Sequence, residues 1–186
     1  VAHCPVGIGD LPVLRSQSKR RGTRLHLETL DDSCLLSGAV PTNPVAYTPD
    51  SPFKLGNYYI DVPSSYDASH QTPTTLFVWS HGCGGYSQYD IYDYNWSPGY
   101  TPYITIALDT CEGGCWDPAG DTATILAAIA DVKTHFNIES TRVILGGYSS
   151  GGDLSYRVAF TSSMQIAGVI AENTAPFLSL IHISEP

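Results

Sequence analysis

Basic side chains are scarce in this chain of 186 residues. Nine Lys and Arg stand against 18 Asp and Glu, a formal net charge of -9. A surface of that sign offers no broad basic face, which argues against a nucleic-acid partner, whose binding depends on neutralising phosphates. The one basic run, RSQSKRRGTR (Arg15 to Arg24), reads as a solvated linker rather than a binding patch. Long apolar runs are also lacking. No stretch reaches the roughly 18 residues a bilayer span requires, so no membrane partner is expected. There is no G-K-[ST] phosphate loop and no G-x-G-x-x-G dinucleotide fingerprint. No second closely spaced Cys or His pair completes a four-ligand zinc set, so no metal is expected. Hydrophobic residues make up 42% of the chain and charged residues 15%, which describes a folding globular protein rather than a disordered one.

Five cysteines are present: Cys4, Cys34, Cys83, Cys111 and Cys115. With few lysines and many tyrosines and turn residues, they point to an oxidising compartment and a secreted protein. Cys111 and Cys115 bracket the sequence CEGGC, whose two glycines make a tight disulfide loop feasible; the alternative is that both thiols are free.

Residues 1–53 differ from the rest. They hold the basic run and several prolines and no sustained periodicity, and read as a leader, a linker or the remnant of something upstream. A regular pattern follows over residues 54–177. NYYIDVP reads as an edge strand stopped by Pro63. TTLFVWSHG and YITIALDT are continuous apolar runs, as strands buried on both faces of a parallel sheet require. In DTATILAAIADVKTHF, Ile125, Ile129, Val132 and Phe136 recur at helical spacing behind Asp121 as N-cap. TRVILGG, GGDLSYRVAFTS and IAGVIAEN then read as strand, helix and strand. The alternation predicts an α/β fold with a mostly parallel sheet and helices on both faces. Working residues of such sheets sit beyond the carboxyl ends of the strands, where SHGCGG, LDTCEGGC and GYSSGG all fall.

The stretch VILGGYSSGGDLSYR carries the chemistry. Gly147-Tyr148-Ser149-Ser150-Gly151 matches G-x-S-x-G, follows a strand and opens a helix. A sharp turn there lifts Ser149 into the open, at a position where side chains two residues before or after would collide, hence Gly147 and Gly151. The helix that starts behind the serine aims its free amides and positive dipole end at developing negative charge.

FVWSHGCGG followed by RVILGGYSSGGDLSYR resembles the α/β-hydrolase fold, and within it secreted esterases of the feruloyl esterase and polyhydroxybutyrate depolymerase kind. The resemblance covers about residues 55–177. It implies Ser149 as nucleophile and the backbone amides of Cys83 and Ser150 as oxyanion donors; His81, in the H-G step of that loop, reads as a buttress of the loop rather than as a catalytic base. The resemblance further implies a carboxylic ester as substrate, small or polymeric, of which a plant cell-wall polysaccharide ester is one example, with no cofactor. The base and acid would follow in the order Ser, acid, His. Behind Ser149 the acids are Asp153, Glu172 and Glu185, and the one histidine is His182. His182 lies in LSLIHISEP, residues 178–186, which matches translated sequencing adapter codon for codon and reads as a non-native tail. His3, His26, His70 and His135 precede the elbow, and His135 is expected to be an exposed helix-terminal residue. The chain is thus expected to be a domain truncated on its C-terminal side, with nucleophile and oxyanion hole but no base, and to turn over esters poorly. A peptidase or acyltransferase on the same fold, or a non-catalytic carbohydrate- or wall-binding relative, are the alternatives. The aromatic segment Tyr86 to Tyr103 fits either a substrate cleft or a cover over the sheet edge.

Overall fold

The computed structural model describes residues 41–93, 102–110, 114–164 and 166–174. Six strands and three helices follow one another as β1 (Phe53–Leu55), β2 (Tyr58–Asp61), β3 (Thr74–Ser80), α1 (Ser87–Asp93), β4 (Tyr103–Leu108), α2 (Thr122–His135), β5 (Ile138–Tyr148), α3 (Ser150–Thr161) and β6 (Gly168–Glu172). They form one sheet in the order β1-β2-β4-β3-β5-β6. The pairs β4–β3, β3–β5 and β5–β6 are parallel, and β1–β2 and β2–β4 antiparallel. The α/β class with a mostly parallel sheet is therefore the one observed.

The apolar run of β3 shows why. Leu76 and Val78 face one side, where Ile125, Ile129 and Val132 of α2 and Leu154 and Val158 of α3 complete a buried cluster. Phe77 and Trp79 face the other side and pack with Ala107 of β4 and Ile91 of α1. A strand covered on both faces has no room for alternating polar residues, so helices flank both sides as expected. The stripe Ile125, Ile129, Val132 and Phe136 is 2% exposed or less at each position. Each such side chain contributes about 1.5–3 kcal/mol by leaving water. The indole of Trp79 donates to Asp90 Oδ2 (2.9 Å), which docks α1 on its face of the sheet. Burial is the main cause that raises the Asp90 carboxyl above its ordinary pKa.

Two expectations change, those for β2 and His135, and two segments gain detail. β2 is not an edge strand: β1 pairs with it through a two-residue turn at Gly56-Asn57, with positive φ at Gly56, and β2 lies inside the sheet. Within the aromatic segment, Ser87–Asp93 is a helix with Ser87 and Ile91 buried, while Tyr86, Tyr89 and Tyr92 are exposed; residues 94–101 lie outside the described residues. The chain before residue 54 also packs on the core in part. Val45 and Tyr47 lie against the main cluster, and the Asn43 amide donates to the Thr134 carbonyl at the end of α2 (2.8 Å). For the same reason His135 is buried rather than exposed: its Nδ1 meets the Asn43 carbonyl and its Nε2 lies 3.5 Å from Asp131. Of the tail, residues 175–186 lie outside the described residues.

Candidate functional site

The parallel strands β3, β4 and β5 finish together. Ser80 pairs with Leu108 on one side and with Gly147 on the other, so the three following loops leave the same edge of the sheet. This edge gathers residues 81–86, 109–110, 114–117 and 149–152.

Ser149 stands between β5 and α3 with φ 52° and ψ -117°, a conformation that costs a non-glycine residue of order 1–3 kcal/mol. The turn is over-determined from both sides. The Ser149 amide donates to the Glu172 carbonyl of β6 (2.8 Å), and its carbonyl accepts the Asp153 amide (3.1 Å), the first turn of α3. A serine at an N-cap normally spends its hydroxyl on the helix amides. Here no such cap bond forms, and the hydroxyl is left for other work.

The flanking glycines are required by backbone contact. A Cβ on Gly151 would stand 2.0 Å from the Ser80 carbonyl oxygen, and one on Gly147 would stand 2.3 Å from the Gly151 carbonyl carbon. Helix α3 thus begins in direct backbone contact with the end of β3. Ser155, buried one turn on, donates its hydroxyl towards the carbonyls of Gly151 (2.9 Å) and Gly146 (3.0 Å), stitching helix to strand. Its role was invisible in the sequence, where it reads as one more polar residue of a helix.

Ser150 is the first residue of α3, so its amide has no intrahelical acceptor. Across from it, loop 82–85 folds on itself. The Gly85 amide donates to the Gly82 carbonyl (3.0 Å) and the Gly84 amide to the Gly114 carbonyl (3.4 Å). Of the amides at positions 83 to 85, that of Cys83 has no backbone acceptor among the described residues. The loop touches the helix start directly, since the Ser150 hydroxyl lies 3.5 Å from Cys83 Sγ.

His81 is buried, and its ring is fully committed. Nε2 accepts the Thr110 amide (3.3 Å), so Nδ1 carries the proton and donates to the Gly82 carbonyl (2.6 Å). Its ring also packs on Trp116, with centroids 5.3 Å apart. These contacts brace the loop. His70 Nδ1 accepts the Tyr66 hydroxyl, and His135 is held by Asn43 and Asp131. Each of the three described histidines therefore has at least one ring nitrogen in a structural bond.

The expected Cys111–Cys115 pairing is corrected. Cys115 is bonded to Cys83, 32 residues earlier in the chain, and Cys111 lies outside the described residues. The reason is topological. The loops after β3 and β4 leave neighbouring strand ends in register, a proximity the local spacing of CEGGC could not reveal. Trp116, 4% exposed, was ambiguous in the sequence and is a structural element of this edge: its indole donates to the His81 carbonyl (3.0 Å). Tyr148 is half-exposed beside Ser149, with its hydroxyl accepting from Asn173 Nδ2 (3.0 Å) and its ring over Gly82. Of the acids behind the elbow, Asp153 accepts the Thr174 hydroxyl and Glu172 is exposed at the end of β6; Glu185 and His182 are outside the described residues.

No protein-family model matches the chain. Among solved structures it is similar to an acetyl xylan esterase from Aspergillus awamori, with 23% identity, 61% of this chain and 45% of that one covered, and a TM-score of 0.49. It is similar to a phospholipase/carboxylesterase from Dyadobacter fermentans, with 14% identity, coverage of 70% and 67%, and a TM-score of 0.48. A ferulic acid esterase from Anaeromyces mucronatus is a third, with 12% identity, coverage of 64% and 55%, and a TM-score of 0.47. The chain thus spans less than half the length of the Aspergillus enzyme.

Proposed function

We propose that Ser149 is the nucleophile of a serine hydrolase that cleaves carboxylic esters through an acyl-enzyme. The observation that carries this reading is the strained serine at the strand-to-helix junction, whose hydroxyl caps no amide while the amide behind it begins a helix. The amides of Cys83 and Ser150 are the oxyanion donors. In the first step Ser149 Oγ bonds to the ester carbonyl carbon and its proton passes to a base. The carbonyl oxygen takes the negative charge, and the alcohol leaves with that proton as the carbonyl re-forms. Water then hydrolyses the acyl-serine by the same route. Substrates are of the feruloyl, acetyl-xylan or polyhydroxyalkanoate type, and the parent protein is secreted, a reading supported by the Cys83–Cys115 disulfide.

None of the described histidines is placed to act as the general base: both ring nitrogens of His81 are bonded within the loop, and His70 and His135 lie beside Asn137 at the strand starts, opposite the edge that carries Ser149. Among the described residues the site is then a nucleophile with an oxyanion hole and no base, and slow ester turnover is expected. Hydrolysis of p-nitrophenyl acetate tests this with and without added imidazole, which supplies a diffusible base. Weak turnover that rises with imidazole above the level of a Ser149→Ala control is expected. Fast hydrolysis without imidazole, lost in Ser149→Ala, would overturn the missing base. Equal rates in both proteins at every imidazole concentration would overturn Ser149 as nucleophile.

A further inference from the structure

Three consecutive residues of the β4–α2 loop each hold one residue of the loop after β3. The Gly114 carbonyl accepts the Gly84 amide (3.4 Å), Cys115 is bonded to Cys83, and the Trp116 indole donates to the buried carbonyl side of His81 (3.0 Å). The same segment reaches the helix start, where the Trp116 amide points at Ser150 Oγ (3.4 Å). Both amides assigned above to the oxyanion are therefore tied to one short stretch, although they belong to loops 67 residues apart in the chain. We propose that Gly114-Cys115-Trp116 is a positioning clamp that fixes the spacing of the Cys83 and Ser150 amides, with the disulfide as its covalent bond.

Physical considerations favour a role beyond general stability. Residues 82–84 have no regular secondary structure and Gly84 stands at φ 77°, so within the loop backbone one turn bond, Gly85 amide to Gly82 carbonyl, holds the place of Cys83. An oxyanion donor works only within a few tenths of an ångström of its place, and losing one costs about 10²–10³ in rate. The His81 and Trp116 rings pack on each other, with centroids 5.3 Å apart, and the Cys83 amide has no backbone acceptor among the described residues. Cys115 and Trp116 are positioning residues; neither is assigned a contact with the reacting atoms.

The inference rests on Ser149 as nucleophile, so its test has two readouts. The reference is Cys111→Ser, which leaves Cys83 no exchange partner in this loop but Cys115. Its partners are Cys111→Ser/Cys115→Ser and Trp116→Phe, all folded by circular dichroism. The first readout is reaction of Ser149 with a fluorophosphonate in the presence of imidazole, separated into the maximal rate and the concentration for half-maximal rate. Opening the disulfide is expected to lower the maximal rate at least tenfold with little change in the second constant, and Trp116→Phe to lower it by several-fold. Reducing the reference with dithiothreitol should reproduce the loss, and reoxidation should restore it. An unchanged maximal rate would overturn the clamp. The second readout is amide exchange at Gly84 and Gly85, which does not depend on Ser149 chemistry. Tenfold faster exchange on opening the disulfide is expected, and unchanged exchange would overturn the clamp. If the reference does not label at Ser149 at all, the nucleophile reading fails, and exchange alone decides the clamp.

Discussion

Replacing Gly151 by alanine is the most demanding perturbation of the elbow. The added methyl would stand 2.0 Å from the Ser80 carbonyl oxygen, 2.5 Å from its carbon and 2.6 Å from the His81 carbonyl oxygen. All three are backbone atoms, so no side chain can swing aside, and α3 must retreat from β3 by an ångström or more. Overpacking of this kind costs about 1–3 kcal/mol and more where backbone must move. Alanine returns about 1 kcal/mol of helix propensity. At the upper end of that range the net loss is about 2 kcal/mol, which at a urea m-value of about 1.5 kcal/mol/M shifts the midpoint by about 1.3 M. Gly168→Ala is the control. Its Cβ meets nothing within 4 Å and its φ is not positive, so it should change stability by no more than about 0.5 kcal/mol. Urea titrations followed by circular dichroism compare the two. Equal midpoints would refute the contact between helix start and strand end on which the elbow depends.

Other perturbations probe the same frame. Ser155→Ala removes the donor shared by the Gly146 and Gly151 carbonyls and should cost about 1 kcal/mol in a urea titration. Tyr58→Phe leaves Asp131 Oδ2 without the 2.8 Å hydroxyl that ties β2 to α2, and should also cost about 1 kcal/mol by the same measurement. Asp67 accepts from the Ser69 hydroxyl and amide and from the Thr72 amide, which hold its carboxyl well below the ordinary carboxylate range. Because its folded pKa is depressed, its contribution is complete above the unfolded value of about 3.9 and is lost as pH falls below it. Urea midpoints recorded from pH 6 to pH 2 should therefore fall less steeply for Asp67→Asn than for the parent chain.

The parts of this fold that could be read from the sequence are those whose causes are local. β3 announces itself because Leu76 to Trp79 are covered on both faces, and α2 because its buried stripe repeats every three or four residues. The G-x-S-x-G turn was legible because its glycines answer a clash between residues close in sequence, Gly147 against Gly151. What escaped depends on neighbours brought together by the sheet. Cys83 and Cys115 meet because β3 and β4 end in register, and His135 is buried because Asn43 crosses the end of α2. β1 was hidden by its three residues and the proline before it, and α1 by having only Ser87 and Ile91 buried. Trp116 and Cys115, which hold the loop after β3, carry no signal in their own surroundings.

The central claim is that the chain presents Ser149, and no other hydroxyl, as an activated nucleophile. The direct measurement is the site of reaction with a fluorophosphonate on the folded chain in the presence of imidazole, read by mass spectrometry of the proteolysed protein. The account predicts one adduct, on the peptide that carries Ser149, absent from Ser149→Ala and from chain unfolded in urea. An adduct spread over other serines and tyrosines, or an unmodified Ser149 peptide under conditions where the fold is intact, would contradict it.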